Sequence, residues 1–169
     1  LPKLNRLKAA HHWPPEKEKW EGLTPTELRH STVGILGYGS IGRQVARLLQ
    51  PFGATVLAAK KDVMHPEDKG YILEGMGDPH GDFFDRLYPV EAFHSLLALS
   101  DFVVVALPLT EETHHLLDGK AFQAMKPSVI LINIGRGGLV DQDALVAALR
   151  DKKIGGVALD VFEEEALPE

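Results

Sequence analysis

The chain contains no cysteine. That excludes disulfides and thiolate metal sites, and it fits a reducing compartment. Basic residues are in deficit: 18 Lys and Arg against 24 Asp and Glu leave a formal net charge of -6. With no basic block to override this balance, a nucleic-acid partner held through its phosphates is not expected. No apolar run approaches the roughly 18 residues of a membrane span, and Leu1 to Ala10 carries basic residues without a signal-peptide apolar core. A cytoplasmic protein with no membrane partner is the expectation. Nor does composition favour disorder: 44% hydrophobic and 25% charged over 169 residues are the proportions of one globular domain with a substantial core. The chain begins at Leu1 and not at methionine, which suggests a piece of something longer.

What is present centres on Val33-Gly34-Ile35-Leu36-Gly37-Tyr38-Gly39-Ser40-Ile41-Gly42-Arg43-Gln44-Val45-Ala46. An apolar strand runs into a glycine turn and then a helix, with Gly37, Gly39 and Gly42 at G-x-G-x-x-G spacing. The first glycine permits a tight turn, the second lets a pyrophosphate approach the backbone, and the third lets the helix pack closely on its strand. Free amides at the helix start then face the phosphates. Thr32 to Leu36 reads as a buried strand, and Ile41, Val45, Leu48 and Leu49 as an apolar helical face. Arg43 and Gln44 merely continue the helix.

Before this stretch, residues 1–28 read as a short helix and an extended arm. Trp13 and Trp20 either pack the arm onto its own domain or form a partner surface. After it, Pro51 stops the helix and Ala54 to Ala59 is a second strand in a β-α-β unit. Residues 60–88 form a long loop without sustained period, either an ordered excursion near a site or a mobile segment. His65 and His80 there, with Asp62, Asp78 and Asp82, show no recurring metal spacing and read as solvated. Val90 to Leu99 is a helix and Phe102 to Leu107 a third strand closed by Pro108. His114 and His115 do not share a helix face, so a loop or helix start is expected there, and no metal site. A short helix from Phe122 to Lys126, a fourth strand from Val129 to Asn133, a helix capped by Asp141, and a fifth strand from Gly155 to Asp160 complete the pattern. It is an α/β doubly wound parallel sheet.

Ligands in such sheets bind beyond the carboxyl ends of the strands. Arg136, between glycines directly after a buried strand, offers a planar fork suited to a substrate carboxylate, or else pairs with a neighbouring acid. Asp160 either orients a ligand or caps a turn. Spacing alone does not choose among Glu163, Glu164 and Glu165.

Four motifs, Gly37-Tyr38-Gly39-Ser40-Ile41-Gly42, Leu107-Pro108-Leu109-Thr110 with Thr113, Asn133 to Asp141, and Ala158-Leu159-Asp160-Val161-Phe162 through Glu165-Ala166-Leu167-Pro168, arrive in order. Together they resemble the D-isomer-specific 2-hydroxyacid dehydrogenases over about residues 28–168. The resemblance implies a Rossmann-type three-layer α/β/α domain at 29–169, with an arm at 1–28 leading to a substrate domain absent from this chain. It implies hydride transfer between a nicotinamide and a small 2-oxo or 2-hydroxy acid, of the glyoxylate or hydroxypyruvate type, and a homodimer formed through this domain. Gly37, Gly39, Ser40, Ile41, Gly42, Lys60, Lys61, Leu107, Pro108, Thr113, Ile134, Gly135, Arg136 and Asp160 would line the coenzyme. Arg136 would hold the substrate carboxylate and polarise its carbonyl, and Glu165 would pair with a catalytic histidine.

Three departures accompany it. None of the eight histidines occupies the family's catalytic place, which lies beyond Glu169, so this polypeptide alone is expected to bind coenzyme and turn over little. At the end of the second strand Lys60 and Lys61 replace the acid that would accept the ribose hydroxyls. This favours NADP(H) over NAD(H), with Asp62 curling back to the ribose as the alternative. Ala166 stands where proline usually follows the glutamate. A dinucleotide-sensing corepressor or scaffold on the same fold is the rival reading.

Overall fold

The structure, a computed structural model, describes residues 2–11, 15 and 26–164. After helix α1 (Pro2–Ala9), the fold runs β1 (Thr32–Leu36), α2 (Ser40–Leu49), β2 (Thr55–Lys60), β3 (Arg86–Pro89), α3 (Phe93–Leu99), β4 (Phe102–Val105), α4 (Gly119–Ala124), β5 (Ile130–Asn133), α5 (Gln142–Arg150) and β6 (Gly156–Leu159). In β1, β2 and β4 the apolar runs become strands buried on both faces, the condition under which parallel sheets persist, while β6 at the edge stays half-buried. All five pairings are parallel, in the order β3-β2-β1-β4-β5-β6. The chain reverses direction across the sheet between β1 and β4, which makes that boundary the switch point where a crevice opens. Val33, Ile35, Val56 and Ala58 pack with Ala46 and Leu49 of α2 on one face. On the other, Leu57, Ala59, Val103, Val105 and Leu131 pack with residues of α3, α4 and α5, such as Leu96, Phe122 and Leu145. Helices on both faces give the expected three layers. No helix among the described residues is long and apolar enough to cross a membrane. Trp13 and Trp20 lie outside the described residues.

The sheet has six strands and not five. Strand β3 begins inside the segment expected to be a loop and ends one residue past it; its four residues, Arg86-Leu87-Tyr88-Pro89, bury only Tyr88 fully and end in proline, which an edge strand tolerates. With Lys60 also belonging to β2, the excursion shrinks to residues 61–85.

Helix α2 is also rotated from its expected setting. Ile41 and Leu48 are 57% and 59% exposed, whereas Gly42, Arg43, Ala46 and Leu49 are buried. Gly42 decides this, because a Cβ on it would lie 2.0 Å from the Gly37 carbonyl oxygen. The glycine must therefore face the turn, and residues four and seven positions on follow it inward. That rotation drives Arg43 into the interior, so it does far more than continue the helix.

Candidate functional site

The carboxyl ends of all six strands point to one edge, and the glycine turn sits at its centre. The Gly37 and Tyr38 amides both donate to the Ala59 carbonyl, at 3.1 and 3.2 Å, pinning the exit of β1 to the end of β2. Gly37 has φ +102°, open to glycine, and a side chain there would strike the Ala106 carbonyl. Gly39 differs. Its φ of -92° suits any residue, and a Cβ would meet nothing within 4 Å. Neither conformation nor packing asks for glycine, so the missing side chain leaves a cradle at the start of α2. No side chain caps that helix and no acid occupies its first turn. Its leading amides and the positive end of its dipole face the cradle, and the donor set fits a diphosphate.

Three connected clefts meet at Gly39. The largest, about 520 Å³, runs over Ser40 and Ile41, past Leu107 and Pro108, to Ile134, Gly135 and Arg136. A second, about 380 Å³, lies toward the end of β2 between Lys60, Lys61, Val90, Pro108 and Thr113. A third, about 370 Å³, is walled by the 61–85 excursion through His65, Asp68 and Lys69. All the coenzyme residues expected from the sequence line these clefts, with two exceptions. Gly42 is buried against the Gly37 carbonyl and lines none of them. Asp160 lies outside these clefts; its amide donates to the Asn133 carbonyl at 3.0 Å.

Several side chains already have partners. The Thr113 hydroxyl donates to the Pro108 carbonyl and accepts from the Thr110 amide, both at 2.8 Å, so it shapes the turn after β4. Lys60 donates to the His65 carbonyl. Lys61 pairs with Glu112 at 3.2 Å across the mouth of the second cleft. Asp62 turns toward the excursion: it accepts from His65 Nδ1 at 2.8 Å and from the Met64 amide at 3.1 Å, and the His65 bond chiefly holds its carboxyl below the usual range.

Arg136 is exposed, and among the described residues no carboxylate lies within ion-pair distance of it. Its Nη1 donates to the Gly135 carbonyl at 2.8 Å. The turn that presents it is held by Asn133, 1% exposed, whose Nδ2 donates to the Arg136 carbonyl (3.0 Å) while its Oδ1 accepts from the Gly135 amide (3.1 Å). Sequence reasoning named Asn133 only as part of a motif; a polar residue closing a buried apolar strand was the available signal. Glu165 lies outside the described residues.

A second group missed from the sequence supports the glycine turn from below. Arg43, 1% exposed, donates to the carbonyls of Asp78 (2.6 Å) and Pro66, lies 3.4 Å from Asp68, and stacks 4.8 Å from the Tyr38 ring centre. The Tyr38 hydroxyl donates to Asp78 Oδ2 at 2.6 Å, and Asp78 also accepts from the amides of Gly81, Asp82 and Phe83. Burial alone would raise the Asp78 carboxyl, but these four donors outweigh it and hold it below the ordinary value. Burial first, and then the bond to Asp78, push the Tyr38 phenol well up. The excursion is thus ordered and welded to the crevice. Asp78 is therefore a buried acceptor and not a solvated loop residue.

The loop expected at His114 and His115 is found. The segment is a turn in which His115 has φ +50°, and the two rings stack 3.9 Å apart.

Comparison with known proteins places this geometry. The family model described as D-isomer specific 2-hydroxyacid dehydrogenase, NAD binding domain, matches residues 1–169. The (S)-sulfolactate dehydrogenase of Chromohalobacter salexigens is 40% identical over 158 residues, covering 94% of this chain and 45% of that protein. Glyoxylate/hydroxypyruvate reductase B of Enterobacter agglomerans is 41% identical over 151 residues, covering 88% and 41%. Among solved structures, the D-isomer specific 2-hydroxyacid dehydrogenase of Xanthobacter autotrophicus Py2, in complex with NADPH and MES, superposes with a TM-score of 0.77 at 30% identity, covering 99% of this chain and 46% of that one. The chain spans less than half the length of each.

Proposed function

This chain belongs to the D-isomer specific 2-hydroxyacid dehydrogenase family as its NAD-binding domain, and from that premise we propose that it is the coenzyme-binding half of an oxidoreductase acting on a small 2-oxo or 2-hydroxy acid. The single observation that carries the proposal is the Gly39 cradle, a glycine required by neither conformation nor packing, open at the head of α2.

In this reading the first-turn amides of α2 hold the diphosphate, and the cleft by Lys60, Lys61 and Thr113 takes the adenosine. Ile134 and Gly135 line the path that leads to Arg136. The nicotinamide, when bound, supplies or accepts the hydride. Arg136 offers two parallel N–H donors to the substrate carboxylate and places its positive charge beside the carbonyl oxygen that gains charge as the carbonyl is reduced. Asn133 keeps that guanidinium on station by fixing the turn beneath it. Glu165 orients an imidazole from a segment outside these residues, favouring its protonated form. A glyoxylate or hydroxypyruvate type of substrate fits this arrangement, because only a carboxylate and an adjacent carbonyl need to be recognised. Arg136, with no acid beside it among the described residues, favours catalysis over a purely sensing role.

We further propose NADP(H) as the coenzyme. Lys60 and Lys61 close β2 where an acid would repel a 2′-phosphate, and Lys69 stands in the adjoining cleft. Titration with NADPH and NADH, read by nicotinamide fluorescence, tests both proposals. The expected result is binding of both with NADPH the tighter, and Lys60→Asp reversing the preference. No binding of either defeats the redox reading, while tighter NADH with no gain on Lys60→Asp defeats only the NADP reading. A homodimer is proposed on the family resemblance; a monomer in solution scattering of the intact protein overturns it.

A further inference from the structure

Three segments far apart in sequence meet beside the Arg136 turn. The His115 amide donates to the Gly138 carbonyl at 2.8 Å, and the Leu117 amide to that of Leu139 at 3.0 Å. Gly137 lies so close to the loop beyond β6 that a Cβ would stand 1.9 Å from the Phe162 carbonyl oxygen. These backbone contacts fix the turn after β4 and the loop after β6 against the turn after β5, and they set His114, His115 and Glu163 in one place. The left-handed conformation of His115 brings neighbouring side chains to the same side, which an extended or helical backbone would not do. The two imidazoles stack at 27°, and His115 Nε2 donates to Glu163 Oε1 at 2.7 Å. One ligand atom from each of the three residues lies within 4.8 Å of the others.

We propose that His114, His115 and Glu163 form a binding site for a first-row divalent cation, with Zn²⁺ as the ion. Two imidazole nitrogens and a carboxylate oxygen are the donor set such ions take, and three protein ligands leave a position for water. Donors bound tetrahedrally at about 2.0–2.2 Å stand about 3.4 Å apart around the ion. The observed spread closes by rotation of half-exposed side chains on fixed backbone, with the His115–Glu163 hydrogen bond giving way to two metal bonds. Bound there, the ion ties the loops after β4 and β6 together next to the Arg136 turn, on the segment that continues in sequence to Glu165. The site does not depend on the redox reading.

The test uses untagged protein and the metals alone. One equivalent of Co²⁺ gives a visible d–d absorption that Zn²⁺ displaces. Zn²⁺ at a hundredfold excess over its Kd raises Tm by about 5 °C. His114→Ala and Glu163→Gln, both at exposed positions, each weaken the metal at least about tenfold, in line with the loss of a ligand. His65→Ala, in the other histidine–carboxylate pair, leaves the affinity unchanged. Absence of the absorption in the parent, or an absorption and Tm shift that survive undiminished in His114→Ala and Glu163→Gln, overturns the site.

Discussion

Gly39 and Gly42 stand three residues apart in one motif, yet their surroundings ask opposite things of them. A side chain at Gly39 meets open space, whereas at Gly42 it meets a carbonyl oxygen at 2.0 Å. Gly39→Val is therefore expected to keep the stability of the parent while losing coenzyme affinity by about 10- to 150-fold, the equivalent of one charged hydrogen bond at about 1.5–3 kcal/mol. Gly42→Ala is expected to lose about 1–3 kcal/mol of stability by overpacking. Urea unfolding and NADPH titration of the two variants separate the effects. Arg136→Lys keeps the charge but not the fork, and in the intact enzyme kcat/KM should fall by about 10- to 150-fold on the same energy scale. Asp78 carries a pH dependence of definite sign. Its carboxyl sits below the ordinary value when folded, so its contribution is complete above the unfolded value of about 3.9 and is lost as pH falls from there through the lower folded one. Asp78→Asn should cost about 2–3 kcal/mol at neutral pH and flatten the fall of stability below about pH 4, measured by urea unfolding at a series of pH values.

The excursion at 61–85 behaves as an element in its own right, although it has no regular structure. Its organiser is Arg43 of α2, which reaches the carbonyls of Pro66 and Asp78 across 23 and 35 residues of sequence. Arg43→Met removes those donors and the partner of Asp68, a loss of about 3 kcal/mol. Amides of residues 66–83 should then exchange ahead of those in β1 and β4; equal protection in parent and variant would show that the segment is held by other means. This organiser also explains what the sequence left unread. Strands β1, β2, β4, β5 and β6 announce themselves as apolar runs, and Asp141 caps α5 as its spacing implies, accepting from the Ala144 amide at 2.9 Å. The glycine turn and Arg136 were legible for the same reason, since their meaning lies in adjacent residues. Strand β3 was not, because a single buried tyrosine gives no period. The rotation of α2 was misjudged because Ile41 and Leu48 look apolar while the steric demand of Gly42 is invisible in a hydrophobic pattern. Arg43, Asp78 and Asn133 acquire their roles from partners in other segments or from a turn not yet folded. The stacked histidines required a left-handed residue, a conformation histidine tolerates better than most side chains but one that no local pattern places at His115.

Across the whole molecule, the walls of the crevice come from both sides of the switch point. Gly39, Lys60 and Lys61 belong to the β1–α2–β2 half, whereas Ile134, Gly135 and Arg136 leave β5 on the other. Any ligand bound only by the folded chain stabilises it by mass action, about 2.7 kcal/mol at a hundredfold excess over Kd, whichever cleft it fills. Global unfolding therefore does not report where the ligand lies. Local opening does, because a bound molecule suppresses only those fluctuations that break its own contacts. A full dinucleotide lying across the crevice should slow amide exchange at the start of α2, in residues 107–113 and in the Gly135–Gly138 turn. Adenosine 2′,5′-bisphosphate, long enough for the cleft beside Lys60 but not for the one beside Arg136, should protect the first two regions and leave the third unchanged. Hydrogen exchange read by mass spectrometry at matched saturation distinguishes the two ligands. If NADPH and the fragment give the same map, with residues 135–138 untouched by either, the nicotinamide does not lie beside Arg136 and the proposed hydride geometry fails even though the coenzyme binds.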